Sequence, residues 1–355
     1  MKAEAGGKHE YGSIDRFRII AALMIVGIHT YPLASVSEAA NFYIVHVLGR
    51  VAVPFFLMVT GYFLLPRYII KKECDTGPLI KFIKKTGLIY ALATLLYLPI
   101  SIYAGHYSGG NLFAVIIRNI VFDGTFYHLW YLPASIIGVL IVYALGRRFS
   151  LRVIFITAAI LYIVGLLGDN YFGVIYGIPL VRNIYDIGFN VFSFTRNGLF
   201  YAPVFLVMGA AMAMARSHVR AGISIVGLAV SLSLMMFEGY ILQRSGYSRH
   251  SSMYIALLPS MFFLFNLLLI RDVRISHPPA QRGKASVLLR NVSMWVFILH
   301  PLFIIVVRGL ARGFGLTHLL VGNSVVHFIV VCVLSVAASV FCTVLHSRYK
   351  GRAYV

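Results

Sequence analysis

Ten apolar segments dominate this sequence, and each is close to the length that an α-helix needs to cross a lipid bilayer. A crossing takes roughly 20 residues, because a helix rises about 1.5 Å per residue through a hydrocarbon layer about 30 Å thick. The segments are residues 17–35, 41–65, 83–103, 127–145, 152–168, 197–215, 221–241, 252–270, 288–311 and 322–346. We therefore predict an all-α, polytopic integral membrane protein with about ten transmembrane helices.

The composition agrees with a membrane protein and argues against a nucleic-acid binder. Hydrophobic residues make up 60% of the chain and charged residues only 12%, and the mean hydropathy is +0.85. A soluble domain carries about twice that charged fraction. The formal net charge of +20 could suit nucleic acid, but the basic residues cluster in short segments between the apolar runs. This pattern is typical of residues that orient a protein in a bilayer.

The lysines and arginines predict the orientation of the chain. Every lysine lies in a segment that faces the cytoplasm if the N-terminus is cytoplasmic and ten helices follow. The basic residues outside those segments are all arginines, namely Arg50, Arg118, Arg182, Arg196, Arg244, Arg249, Arg308 and Arg312. Because cytoplasmic loops are enriched in basic residues, we predict that both termini are cytoplasmic and that the chain is a multi-pass protein of the cell inner (plasma) membrane.

Several ionisable residues fall within the apolar segments, where each costs at least a few kcal/mol and is a functional candidate. Counting residues from the segment ends places His29, Arg50 and His300 in one layer of the outer half of the membrane. Three more residues lie nearer the outer surface, namely His128, Trp130 and Arg196. Together these side chains predict a polar cavity in the outer half. A purely structural role for a buried histidine, and an arginine at position 196 that reaches to the interface, remain open alternatives.

Arg18 and His29 are eleven positions apart, which is about three helical turns. They therefore share one face of the first helix but are separated by about 16 Å along its axis, too far for a direct bond. Arg18 lies at the predicted cytoplasmic boundary. We expect no metal site, because no two histidines have i, i+4 spacing and no carboxylate accompanies them.

Four stretches resemble the acyltransferase 3 family, the bacterial membrane O-acyltransferases, over about residues 15–345. The stretch IDRFRIIAALMIVGIH resembles the family's first helix, with an arginine, ten residues and a histidine. The stretch GRVAVPFFLMVTGYFL is similar to its second helix, with Thr60 where many members carry serine. The stretches HLWYLPA and FILHPLF resemble two later motifs of the family.

This resemblance implies that His29 is the catalytic base and that Arg18 helps to bind an acyl donor, typically acyl-CoA from the cytoplasm. A neutral imidazole, with a pKa near 6.5, is suited to take a proton from an acceptor hydroxyl. We assign the remaining candidates to substrate binding, namely Asp15, Arg50, His128, Trp130, Arg196 and His300.

A narrower resemblance is to the membrane half of VanT-type serine racemases of vancomycin resistance. The stretches FYHLWYLPASIIGVLIVYAL and RNGLFYAPVFLVMGA carry it, and the final KGRAYV resembles the opening of alanine-racemase-like domains. We therefore expect residues 1–347 to form the transmembrane domain. Residues 348–355 would be a cytoplasmic tail that begins the linker to a racemase domain, and pyridoxal phosphate would belong to that missing domain only.

The narrower resemblance implies that the membrane domain supplies L-serine, by uptake or delivery, to a cytoplasmic racemase that makes peptidoglycan precursors containing D-serine. Arg50 or Arg196 would then pair with the serine carboxylate, and no cofactor would be needed for transport. The alternatives are an acyl-CoA-dependent O-acyltransferase, with L-serine or another small hydroxyl compound as acceptor, and a passive membrane anchor. The expected partners are the bilayer, the small acceptor and the racemase domain, with no nucleic acid.

Overall fold

The structure is a computed structural model that describes residues 11–105, 107, 111–215, 217–274 and 279–352, without the side chains of 273–284, 346 and 348–352. Residues 353–355 of the predicted tail lie outside this range. Within the described residues the secondary structure is helical, with no strand. This confirms the predicted all-α class.

Ten long helices occupy the ten predicted segments in the described part of the chain. They are α1 (Gly12–Thr30), α2 (Glu38–Leu64), α3 (Gly77–Tyr103), α4 (Tyr131–Arg148), α5 (Leu151–Leu167), α6 (Ala202–Met214), α7 (Ala221–Ser245), α8 (Leu257–Arg274), α9 (Pro279–Gly313) and α10 (Ser324–Arg352). Shorter helices are Pro66–Ile69, Leu112–Arg118, Phe172–Ile175 and Pro179–Val191, with π-helical turns at Tyr43–Val47, Asn119–Asp123 and His318–Gly322 and a 3-10 turn at Leu48–Val51.

By length and composition, six helices in the described ranges can each cross a membrane: α2, α3, α4, α7, α9 and α10. Helices α5 and α6 are apolar but shorter, with 17 and 13 residues. Helices α1 and α8 each carry three charged residues near one end. The chain is therefore a polytopic membrane protein, and the count of ten crossings stays a prediction.

Several helix boundaries differ from the prediction, such as the start of α9 at Pro279 where we predict residue 288, and two of the differences have a local cause. Helix α1 ends at Thr30 and not at residue 35, because Tyr31 adopts a left-handed conformation with φ of 54° and Pro32 follows it. Helix α6 begins at Ala202 and not at residue 197. The side chain of Asn197 accepts hydrogen bonds from the backbone N–H groups of Leu199 and Phe200 and holds a turn there.

The chain forms two compact units. The first unit comprises Met1–Ala52, His218–Gly227 and Phe263–Val355. In it, α9 packs against both α1 and α10. Its core contains buried Ala22 and Val26 of α1, Val296 of α9 and Val331 of α10. The four-residue spacing between Ala22 and Val26 places both side chains on the same face of α1.

The second unit comprises Val53–Ser217 and Leu228–Phe262. Here α6 packs against α4 and α5, and two glycines bring α2 and α6 into backbone contact. A Cβ atom on Gly61 would lie 2.0 Å from the carbonyl oxygen of Leu206, and one on Gly209 would lie 2.0 Å from that of Met58. In lipid, helices associate through such close packing of small residues, so these glycines set the distance between the two helices.

Candidate functional site

The irregular start of α2 positions two polar side chains in the first unit. His46 lies in the π-helical turn and Arg50 in the 3-10 turn that follows. Arg50 Nη2 is 3.2 Å from His46 Nδ1. A guanidinium group only donates hydrogen bonds, so Nδ1 is the acceptor and the proton of the neutral His46 ring is on Nε2. Sequence reasoning missed His46, although its i, i+4 spacing from Arg50 would have revealed it.

His29 and His300 are in direct contact in the same unit. Their ring centroids are 5.4 Å apart and their planes are inclined by 22°. His300 is completely buried, and its Nδ1 is 3.0 Å from the carbonyl oxygen of Val296. Because a carbonyl only accepts, Nδ1 carries the proton of the neutral ring and the Nε2 lone pair is directed away from the backbone of α9.

The turns that carry His46 and Arg50 pack against the end of α1 that carries His29. A Cβ atom on Gly49 would lie 2.9 Å from Ile28 Cγ1, so the turn that carries Arg50 lies directly against the end of α1 that carries His29. The ring of Tyr31 is also 6.0 Å from that of His46. The predicted layer of His29, Arg50 and His300 thus corresponds to one end of α1 in the first unit. The roles of these residues stay a prediction.

The opposite end of α1 carries a cluster of charges. Asp15 is buried, and its Oδ1 is 3.2 Å from Arg18 Nε and 3.8 Å from Arg290 Nε. The backbone N–H of Ser13 donates to Asp272 Oδ1 at 2.6 Å, which satisfies one of the free donors in the first turn of α1. Arg18 and His29 therefore lie at opposite ends of one helix face. Sequence reasoning missed Arg290 and Asp272, because neither long-range contact has a local signal.

The remaining three predicted residues lie in the second unit. His128 is buried, with its ring edge-on to Tyr97 at 5.2 Å. The guanidinium carbon of Arg196 lies 5.3 Å from the ring centre of Trp130 and 4.3 Å from that of Phe194. These are distances at which a cation is attracted to an aromatic face. The structure thus brings Trp130 and Arg196 together.

Two carboxylates that the sequence did not single out as site residues organise the segment before α8. Asp169 Oδ1 accepts hydrogen bonds from the backbone N–H groups of Ser252 and Met253, at 2.8 and 3.1 Å. The Glu238 carboxylate accepts three hydrogen bonds. The Tyr171 hydroxyl donates one at 2.7 Å, and the backbone N–H groups of residues 255 and 256 donate the others at 2.7 and 2.9 Å. Burial, and then the bond to Glu238, raises the pKa of Tyr171. Both carboxylates therefore stabilise local backbone.

The first unit also holds an open apolar cavity of about 520 Å³, which none of the predicted site residues line. Ile20, Met24 and Gly27 contribute to it from α1, on the face opposite His29. Among the residues that the structure describes, no three His, Cys, Asp or Glu side chains are grouped to hold a metal ion.

Comparison with known proteins identifies the family. A family model described as an acyltransferase domain, of the acyltransferase 3 type, matches residues 11–344. An amino-acid racemase of Enterococcus faecalis is 42% identical over 346 residues, which are 96% of this chain and 46% of that protein. A second amino-acid racemase of the same species is 36% identical, over 92% of this chain and 45% of that protein.

A serine/alanine racemase of Enterococcus gallinarum is 31% identical, over 96% of this chain and 47% of that protein. The chain thus spans about half the length of the curated relatives it matches. No solved structure matches it significantly. The predicted resemblance is confirmed: with a family match along nearly its whole length, this chain belongs to the acyltransferase 3 family of membrane proteins.

Proposed function

We propose that this chain is the membrane domain of a VanT-type serine racemase in the plasma membrane, and that it supplies L-serine to a cytoplasmic racemase domain. The relatives named amino-acid racemase and serine/alanine racemase support this proposal, since each is about twice the length of the matched region. The D-serine formed would enter the peptidoglycan precursors of vancomycin resistance. Racemisation itself would require pyridoxal phosphate in the partner domain.

The buried Nε–H of Arg50 is the observation that carries this proposal. It is shielded from solvent and has no hydrogen-bond acceptor among the described residues, while Nη2 of the same side chain is 3.2 Å from His46 Nδ1. A buried donor without an acceptor costs about 1–3 kcal/mol, more for a charged group. The carboxylate of an amino acid would satisfy this donor, and arginine binds carboxylates through two parallel bonds.

The stacked histidines would complete an amino-acid site around Arg50. Serine carries an ammonium group on its α-carbon and a hydroxyl on its β-carbon, and both can donate a hydrogen bond to a neutral imidazole. His29 lies on the helix end that packs against the turn carrying Arg50. We therefore propose that Arg50 binds the carboxylate of serine and that its ammonium and hydroxyl groups lie next to His29.

Uptake of labelled L-serine into proteoliposomes that contain the purified chain tests this function. We expect saturable uptake that falls at least about tenfold in Arg50→Lys, because lysine keeps the charge but loses the planar pair of donors. Arg312→Lys, at an exposed arginine near the end of α9, is the matched control and should transport normally. Uptake equal to that of protein-free vesicles would refute the proposal.

A second candidate function is acyl transfer. It is favoured by membership of the family and by the position of Arg18 and His29 on one face of α1. Arg18 would hold a phosphate of acyl-CoA at the cytoplasmic end. His29 would take the proton of an acceptor hydroxyl while its oxygen attacks the thioester carbonyl. The carbon–sulfur bond then breaks, and the thiolate of CoA leaves and takes up a proton.

Release of CoA from acetyl-CoA, with and without L-serine, distinguishes acyl transfer from transport. Release that requires His29, as judged from His29→Ala, together with no serine uptake would favour the acyltransferase. Release that is unchanged in His29→Ala would count against it. A protein that performs neither reaction would fit a passive anchor.

A further inference from the structure

A short helix of the second unit, Pro179–Val191, presents an unpartnered aliphatic face. It lies between α5 and α6, outside the ten long helices. Leu180, Ile184, Ile187 and Val191 follow one another at intervals of four, three and four residues, which places them on one face. Their side chains are 73, 61, 68 and 52% exposed. We refer to these four side chains as the aliphatic stripe.

The opposite side of this helix is fixed to the end of the apolar helix α5. The hydroxyl of Tyr185 donates to the carbonyl oxygen of Val164 at 2.7 Å, and Val164 lies in the last turn of α5. The ring of Phe189 packs against Phe172 at 5.8 Å and beneath the guanidinium of Arg249 at 3.5 Å. The short helix therefore lies at the level where the apolar length of α5 ends.

A third face carries the polar residues. Arg182 Nε is 3.5 Å from Asp186 Oδ2, and the same guanidinium lies 4.2 Å from the ring centre of Tyr176. Asn183 and Asn190 are exposed. This arrangement of an aliphatic face, a polar face and an aromatic–arginine pair is typical of helices that lie in the plane of a membrane interface.

Further aliphatic side chains of the same unit are exposed, both just before this helix and along α5. Val174 and Ile178, just before the short helix, are exposed, and so are Ile156, Ile160 and Ile163 along α5. Large exposed aliphatic side chains in this number are unfavourable in water and indicate a contact with lipid or protein. Because α5 is an apolar helix of a membrane protein and Tyr185 fixes the short helix to its last turn, lipid is the contact that we expect for the stripe.

We propose that residues 179–191 form an interfacial helix whose aliphatic stripe inserts into the acyl-chain boundary of the bilayer leaflet at the end of α5. The contact would hold the segment between α5 and α6, which carries Arg196, at a fixed depth. The proposal does not depend on the substrate of the protein.

Site-specific quenching tests this proposal in a background with Cys74, Cys332 and Cys342 replaced by serine. Ile184→Cys and Asp186→Cys are two residues apart, and so about 200° apart around the helix. Both side chains are more than half exposed, so neither substitution removes a core contact. Each variant carries an environment-sensitive fluorophore and is reconstituted in vesicles of phosphatidylcholine and phosphatidylglycerol.

We expect nitroxide groups on lipid acyl chains to quench the label at position 184 several-fold more than the label at 186, and aqueous iodide to show the reverse preference. Equal quenching of the two labels by both agents would overturn the proposal. Disulfide cross-linking between copies of the unlabelled Ile184→Cys protein, together with no lipid quenching of the labelled protein, would also overturn it and would assign the stripe to a protein interface.

Discussion

The imidazole rings of His29 and His300 stack with centroids 5.4 Å apart, and this contact joins the end of α1 to the middle of α9. His300 is held in place from its own helix by the bond from Nδ1–H to Val296. The His300 ring is thus fixed by the backbone of α9, and it supports the His29 ring. Removing the imidazole of His300 should therefore affect His29 more than it affects the fold.

We predict that His300→Asn lowers L-serine uptake at least about tenfold while the free energy of unfolding falls by no more than about 2 kcal/mol. The asparagine amide can still donate to the Val296 carbonyl, so the α9 bond is kept and the ring against His29 is lost. Uptake and thermal unfolding in detergent measure the two effects.

His327→Asn is the matched control for this prediction. His327 is also buried in the first unit, and its Nδ1 makes the same kind of bond, to the Leu320 carbonyl at 3.0 Å. We expect a similar loss of stability and normal uptake. An equal loss of uptake in the two variants would show that the His29–His300 contact has no special role.

Gly61→Ala should lower the free energy of unfolding of the second unit by about 1–3 kcal/mol or more, the usual cost of overpacking. The added methyl group would lie 2.0 Å from the Leu206 carbonyl oxygen, so α2 and α6 must separate. Gly87→Ala in α3 is the control, because its Cβ would meet nothing within 4 Å. A Gly61→Ala protein as stable to heat as Gly87→Ala would contradict this account of the packing.

Asp272→Ala should increase hydrogen exchange of the amides in the first turn of α1 and cost about 1 kcal/mol, as for the loss of a helix cap. The reason is that Asp272 accepts from the Ser13 N–H at 2.6 Å. The exchange of residues 13–18 reports the change by mass spectrometry. Glu73→Ala, which removes a partly buried carboxylate of the second unit, should leave that exchange unchanged.

Stability should fall as the pH rises above about 10, in part because of Tyr171. Burial raises its pKa above the ordinary 10.0 in the folded protein. The unfolded chain therefore loses this proton first, and between the two pKa values the folded state binds more protons, so rising pH favours unfolding. Tyr171→Phe should show a weaker dependence in thermal unfolding at alkaline pH. If Tyr171→Phe shows the same pH dependence of thermal unfolding as the unmodified protein, Tyr171 does not contribute to it.

The sequence predicted the helical class and the position of each long helix, because apolar length and the placement of lysines are properties of single segments. It also placed His29 and His300 at one depth, since depth follows from counting residues along a helix. The structure adds that their rings touch, which depends on how α1 and α9 rotate and pack.

Other features could not be predicted from local pattern. The packing of Gly49 against Ile28, which brings the turn that carries Arg50 to the end of α1, joins residues of two different helices. The contacts of Asp272 and Arg290 with the start of α1 join residues more than 250 positions apart in sequence. The helix Pro179–Val191 falls between the predicted segments 152–168 and 197–215, and its short amphipathic pattern lies among glycines and aromatic residues.

Equilibrium binding of labelled L-serine to the purified protein in detergent tests the amino-acid site around Arg50 most directly. We predict saturable binding that is weakened at least about tenfold, or by roughly 1.4 kcal/mol, in Arg50→Lys and is unchanged in Arg312→Lys. Binding that is absent from the unmodified protein, or that Arg50→Lys leaves unaltered, would contradict the proposed site.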